Sequence, residues 1–383
     1  MSPHSRRMRR ASVPLLALLL AAGGCRAAAA PAPAPLPAAV PDARVARIDS
    51  LVRAFHAAGR FSGAVLVGEG GRVLYEGGAG EADREWHLPN GPAVRYRIAS
   101  TTKQFTAALV LRLWEEGRLE LDAPVAAYLP EYPRPQGDRV TLHHLLTHSS
   151  GIPNYVGLPG FYDTIGRREH TPAQLVALTS SLPLEFEPGT RWKYSNSGYV
   201  LLGLVVERVT GKPYEEALRE QVLAPLGLDD TGFDRAGTVL ERRAAGYLPD
   251  GRGGYANAPF LDPSTVYSAG MLYSTVRDLF RWDRALREGR VFRRPATAAR
   301  MFTGHVETGV PLGRYGYGVF VGEGTFAGRR VGVVQHGGTI PGFTAGFRRM
   351  DDGRTLVALD NTMSPAVAEL LDGIAGILYG GAP

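Results

Sequence analysis

Hydrophobic positions recur along this chain with two different periods, and each change of period marks an element. Val45, Ile48, Leu51, Val52 and Phe55 fall three or four residues apart, which puts them on one side of a helix and predicts an amphipathic helix over 42–58. Two apolar runs follow, Phe61 to Glu69 and Arg72 to Gly77, and the Gly70-Gly71 between them predicts a hairpin. Thr101 to Glu116 reads as a helix, with Phe105, Leu109, Leu111 and Leu113 as its apolar face. From there to about residue 260 the chain reads as mostly helical, broken by proline-rich turns at 130–135 and 183–188. After Thr325 the period of strands returns: Arg330 to His336, Gly342 to Met350 and Arg354 to Asp360, separated by glycine-rich turns. Pro365 to Leu378 is read as a further amphipathic helix. Strands from both ends with helices between predict an α+β fold, an α/β sandwich. Its antiparallel sheet is built from both chain ends and flanked by helices, with a mostly helical lobe inserted at about 110–260.

The first 41 residues belong to neither pattern. Arg6, Arg7, Arg9 and Arg10 precede an apolar run from Val13 to Ala22 that is too short for a membrane span, so residues 1–25 are expected to be an export signal. The sole cysteine, Cys25, ends Gly23-Gly24-Cys25 where a lipoprotein signal peptidase would cut. The context resembles a bacterial lipobox, with Ala22 in place of the usual leucine, and Cys25 is the candidate lipidation site. Residues 26–41, carrying Pro31, Pro33, Pro35, Pro37 and Pro41, read as a semi-rigid Ala/Pro linker, and 42–380 as the folded domain. The expectation is an exported protein, periplasmic or held at the outer membrane of a bacterium by a lipid anchor. No cysteine follows residue 25, which removes disulfides and Cys-rich metal sites. The net charge of +6 is misleading. Four of the arginines lie in the leader, the remainder is near balance, and no basic run points to nucleic acid.

Composition then singles out one stretch. Of 43 Lys+Arg, only Lys103, Lys193 and Lys212 are lysine. Lysine offers an amine whose pKa can fall far enough to act as a base, which a guanidinium cannot. In Ser100-Thr101-Thr102-Lys103 the amine stands three residues after a hydroxyl, on the same helical face. That suits a serine nucleophile with a lysine base. Alone the motif is only suggestive, because with 16 serines in 383 residues a serine falls three positions before one of three lysines by chance roughly one time in eight.

Two further motifs follow in order: Tyr194-Ser195-Asn196, after the turn Pro188-Gly189-Thr190, and His336-Gly337-Gly338 at the end of a predicted strand. With these the chain resembles the serine β-lactamase-related family, the group of class C β-lactamases, DD-peptidases and esterases, from about 45 to 375. Leu145 to Pro153, Ser268 to Thr275 and Gly337 to Phe343 carry the same likeness. The resemblance implies a β-lactamase/transpeptidase-like fold and a cofactor-free serine hydrolase working through an acyl-enzyme. Its implied catalytic set is Ser100, Lys103 and Tyr194. Asn196, His336, Gly337, Gly338 and Thr339 would bind substrate, with the N–H groups of Ser100 and Thr339 as oxyanion donors. The implied partners are small esters, amides or D-amino-acid peptides, with β-lactams left open. The alternative is a penicillin-binding or cell-wall interaction module with little turnover.

Other signals are set aside. Tyr255-Ala256-Asn257 repeats the second motif without the turn before it. His143, His144 and His148 lack the glutamate of a zinc-protease helix, so no metal is expected. No Gly-x-Ser-x-Gly surrounds Ser268. Where penicillin-recognising relatives often carry Lys, this chain has His336, a weaker partner for an anionic group.

Overall fold

The main sheet has eight strands: β1 (Gly63–Glu69), β2 (Arg72–Ala79), β3 (Val306–Glu307), β4 (Arg314–Tyr315), β5 (Phe320–Phe326), β6 (Arg329–Ile340), β7 (Phe343–Met350) and β8 (Arg354–Asp360). The computed structural model describes residues 42–311 and 313–380. Strand order is β3-β4-β5-β6-β7-β8-β1-β2, with every neighbouring pair antiparallel. The two ends of the domain therefore pair directly within the sheet, one strand in from its β2 edge, Gly63 opposite Asp360 and Glu69 opposite Arg354.

Side-chain alternation divides the core between the two faces. Val65, Val67, Leu356 and Ala358 pack against Ile48 and Val52 of α1 (Ala43–Ala57) and Leu370 and Ile374 of α5 (Val367–Leu378). Their neighbours Ala64, Leu66, Val357 and Leu359 face α2 (Lys103–Glu115) and α4 (Val276–Arg287) on the other side. Burial on both faces explains why these strands read as continuous apolar runs. Between β2 and β3 the chain also forms α3 (Asn196–Thr210), several shorter helices and a three-stranded sheet of Tyr96–Arg97, Leu272–Ser274 and Gly232–Phe233.

Three expectations need correction. The middle segment is less helical than its apolar content implied. Residues 148–154 form a loop held by tight turns, where a Cβ on Gly151 would lie 2.2 Å from the carbonyl oxygen of Phe186. The helix expected from Thr101 starts as a 3-10 turn at Ala99–Thr102, and regular α-helix begins only at Lys103. The third motif does not end its strand: β6 runs on through Gly337, Gly338 and Thr339, paired with Gly346, Ala345 and Thr344. Glycines that read as a turn are there because the strand passes close to another backbone. The leader, Cys25 and linker lie outside the described residues. No helix among the described residues is long and apolar enough to cross a membrane.

Candidate active site

The 3-10 turn at the head of α2 presents Ser100 toward a cleft of about 780 Å³ between that turn, the N-terminus of α3 and β6. Ala99, just before Ser100, is held at φ +44°, a left-handed conformation that costs a non-glycine residue of order 1–3 kcal/mol. β6 presses directly on this turn. A Cβ on Gly338 would fall 2.2 Å from Ile98 O and 2.8 Å from Ser100 N, so only glycine allows the approach. Ser100 N–H is among the orphan donors that the start of any helix leaves, and Thr339 lines the same cleft.

One helical step on, Lys103 is completely buried. Its Nζ lies 3.2 Å from Ser100 Oγ, 2.8 Å from Asn196 Oδ1 and 2.8 Å from Ala269 O. No carboxylate pairs with it among the described residues, and burial alone drives its pKa well below the usual lysine range. The partners suit a neutral amine. Asn196 Oδ1 and the Ala269 carbonyl can only accept, and they take two N–H bonds; the nitrogen lone pair then faces the Ser100 hydroxyl, which can donate. Asn154 fixes the orientation of Asn196, its Oδ1 accepting from Asn196 N at 3.1 Å and Nδ2 at 3.3 Å.

Tyr194 lies over this amine, its ring centroid 4.8 Å from Nζ. Its hydroxyl is buried and makes no hydrogen bond of ordinary geometry. Burial pushes its pKa up, with the nearby Ser100 hydroxyl partly offsetting the rise. Burial thus favours the uncharged amine at Lys103 and the protonated phenol at Tyr194, which separates a base from an acid.

His336 occupies a different place from the one its motif suggests. Its side chain is buried, with Nε2 3.1 Å from Tyr315 Oη and Nδ1 2.6 Å from Gly337 O. Desolvation, with Lys103 nearby, pushes its pKa down to about 3. Neither ring nitrogen is free for a substrate carboxylate. The charged side chain lining the far part of the cleft, Arg348, already bonds Gln335 Oε1 at 3.0 Å, Asp372 Oδ1 at 2.5 Å and Ala368 O at 3.3 Å.

The fold brings Ser100, Lys103, Tyr194, Asn196 and the 336–339 stretch to one cleft. It leaves Tyr255-Ala256-Asn257 on a surface hairpin, where Asn257 bonds Glu85. His143 bonds Tyr317 Oη at 2.8 Å, and the Thr141 N–H donates to His144. Four contributors escaped sequence reasoning: Asn154, Ala269, Tyr315 and the ring of His148. Ala269 acts through its carbonyl, which no motif reveals. Ser268-Ala269-Gly270 nevertheless carried the family likeness. His148 has φ +58°, a strain for which its spacing gives no signal.

The chain is similar to known proteins over most of its length. The β-lactamase family profile matches residues 48–379. Esterase EstB of Burkholderia gladioli is 35% identical over 334 residues, covering 77% of this chain and 83% of the esterase. A penicillin-binding protein of Bacillus halodurans superposes with a TM-score of 0.75 at 27% identity, covering 87% of this chain and 98% of that one. The D-amino acid amidase of Ochrobactrum anthropi SV3 does so at 0.79 and 26%, covering 88% and 99%. A match of this extent, over a site built around a buried lysine beside a serine, makes the chain a serine hydrolase of the β-lactamase family.

Proposed function

We propose that this protein is an acyl hydrolase of carboxylic esters and amides, D-amino-acid amides and short peptides among them. Ser100 is its nucleophile and Lys103 the general base. The observation that carries the reading is the carboxylate-free burial of Lys103 with its third hydrogen-bond direction on Ser100 Oγ. As Ser100 Oγ attacks the substrate carbonyl, its proton passes to the Lys103 lone pair, and the tetrahedral oxyanion is held by the N–H groups of Ser100 and Thr339. Tyr194, kept as a phenol, gives its proton to the departing alkoxide or amine and is reprotonated from Lys103. Water then attacks the acyl-serine with Lys103 again as base. Asn196 holds Lys103 and lies beside the bound carbonyl; Gly337 and Gly338 let the acyl group lie against β6. With His336 neutral and both its nitrogens occupied, the third motif supplies no cation, which favours substrates that are bound without a carboxylate contact there.

Fluorophosphonate labelling and hydrolysis of a short-chain p-nitrophenyl ester test the reading. Wild type should label and turn over. Ser100→Ala should lose both while melting normally, with kcat down by about a thousandfold or more. Retention of more than a tenth of the activity would remove Ser100 from the role. Export with a lipid on Cys25 is proposed on the leader pattern alone. The mass of the mature N-terminus, diacylglyceryl-cysteine or an unmodified start, decides it.

A further inference from the structure

Four hydrogen bonds cross the site from one wall to the other, and their direction is set at both ends. Ser195 N–H, which can only donate, meets His148 Nδ1 at 3.2 Å. That nitrogen is therefore unprotonated, and neutral His148 carries its hydrogen on Nε2, 3.2 Å from Tyr315 Oη. The phenol oxygen accepts it and gives its own hydrogen to His336 Nε2 at 3.1 Å. His336 then bears its hydrogen on Nδ1, 2.6 Å from the Gly337 carbonyl, which can only accept. Every donor meets an acceptor, in one direction only. Both imidazoles and Tyr315 are buried.

The ends of this chain lie on the two sides of the cleft. Ser195 caps α3 and sits between Tyr194 and Asn196. Gly337 belongs to the stretch of β6 that lies on the Ser100 turn. We propose that Tyr315 is a positioning residue, a strap that ties the Tyr194–Asn196 wall to the Gly337–Thr339 strand and holds His336 as its neutral Nδ1–H tautomer. The proposal rests on the reading of Ser100, Lys103 and Tyr194 as the reacting groups, and adds a residue no motif contains. A proton gained by His148 Nδ1 would face Ser195 N–H, and one gained by His336 Nε2 would face Tyr315 O–H. The strap therefore holds only while both rings are uncharged. Their surroundings keep them so: burial away from water opposes charge on each, and the rings of Tyr194, Tyr199 and Trp192 lie against His148. Among the described residues no carboxylate pairs with either imidazole.

Nitrogen NMR of the whole protein labelled with 15N-histidine tests this without turnover, so it stands or falls separately from the catalytic reading. His148 and His336 signals would be assigned among the nine histidines by single substitution. The expected result is Nε2–H for His148 and Nδ1–H for His336, both still neutral at about pH 5. The opposite tautomer at His336, or titration of either near the ordinary value of about 6.5, overturns the strap. Tyr315→Phe keeps the ring and deletes the bridge. It should lower kcat about tenfold with KM little changed, and move the acid limb of kcat toward neutral pH as His336 becomes able to protonate. An unaltered kcat and pH profile would overturn the proposal. Should the variant fail to fold, the wild-type tautomers alone decide.

Discussion

Lys103→Met separates what the lysine does for catalysis from what it costs the fold. The side chain is fully buried without a carboxylate, and its pKa lies well below the unfolded value of 10.5. Between those two values the unfolded chain holds a proton that the folded protein does not. Stability contributed at this position must then rise with pH, by about 1.4 kcal/mol per unit. Methionine keeps the length and apolar stem but cannot titrate, so the other ionisable groups cancel in the comparison. Urea unfolding of both proteins at pH 7, 8 and 9 should show the variant more stable at pH 7. Its advantage should shrink by about 1.4 kcal/mol for each unit. Over the same range its kcat/KM for a p-nitrophenyl ester should be down by about a thousandfold or more. Lys103→Arg should be equally inactive, and less stable than either, because the guanidinium stays charged in a site without a counter-ion. A stability difference independent of pH would refute the reasoning. It would mean that the ammonium survives in the fold and donates to Ser100, Asn196 and Ala269 alike, and the base would lie elsewhere.

Tyr194→Phe should cut kcat by about a hundredfold on substrates with poor leaving groups and less on p-nitrophenyl esters. Its melting temperature should not fall, because the deleted hydroxyl is buried without an ordinary partner; a clear loss of stability would show a hidden bond. Asn196→Asp sets a carboxylate where Oδ1 now lies 2.8 Å from Lys103 Nζ. It should hold the ammonium and raise its pKa, moving the acid limb of kcat/KM to higher pH by a unit or more; a limb that stays put would argue that Lys103 does not set it. Gly338→Ala introduces a Cβ 2.2 Å from Ile98 O, which β6 can relieve only by drawing back from Ser100. Activity should fall by about a hundredfold or more as the Thr339 donor retreats, while Gly337→Ala, whose Cβ would meet only Ala345 O at 3.2 Å, should be much milder. Equal effects would show that the close approach is not what Gly338 serves.

Elements with strong local periodicity are legible in the sequence: α1, the β1–β2 hairpin, α2, β7, β8 and α5 all fall within a few residues of their apolar patterns. What failed depended on contacts distant in sequence. β6 reads as ending at His336 because Gly337-Gly338 looks like a turn, whereas the Ser100 turn packed against it makes those glycines a strand. β3 and β4 are two residues each and carry no pattern at all. β5 begins at Phe320, earlier than expected, since Gly322 and Gly324 dilute its alternation.

The same division runs through the site. Ser100 and Lys103 are three residues apart, so the chemistry of a hydroxyl beside an amine was visible in a local window, as was the shortage of other lysines. His336 was just as visible, but its function depends on groups 188 and 21 residues away, His148 and Tyr315, the second of them directly bonded to it. Read alone, a histidine in place of lysine suggests a weaker cation for an anionic substrate. Read in its surroundings it has no charge to offer: both nitrogens are committed to protein atoms and burial holds its pKa down to about 3. Burial thus acts on three bases at once, Lys103, His148 and His336, and disfavours charge on all three. Only the lysine keeps a lone pair directed at a hydroxyl that lines the cleft. That difference in hydrogen bonding, rather than in basicity, is what assigns one of them to chemistry and the other two to tying the walls together at working distance.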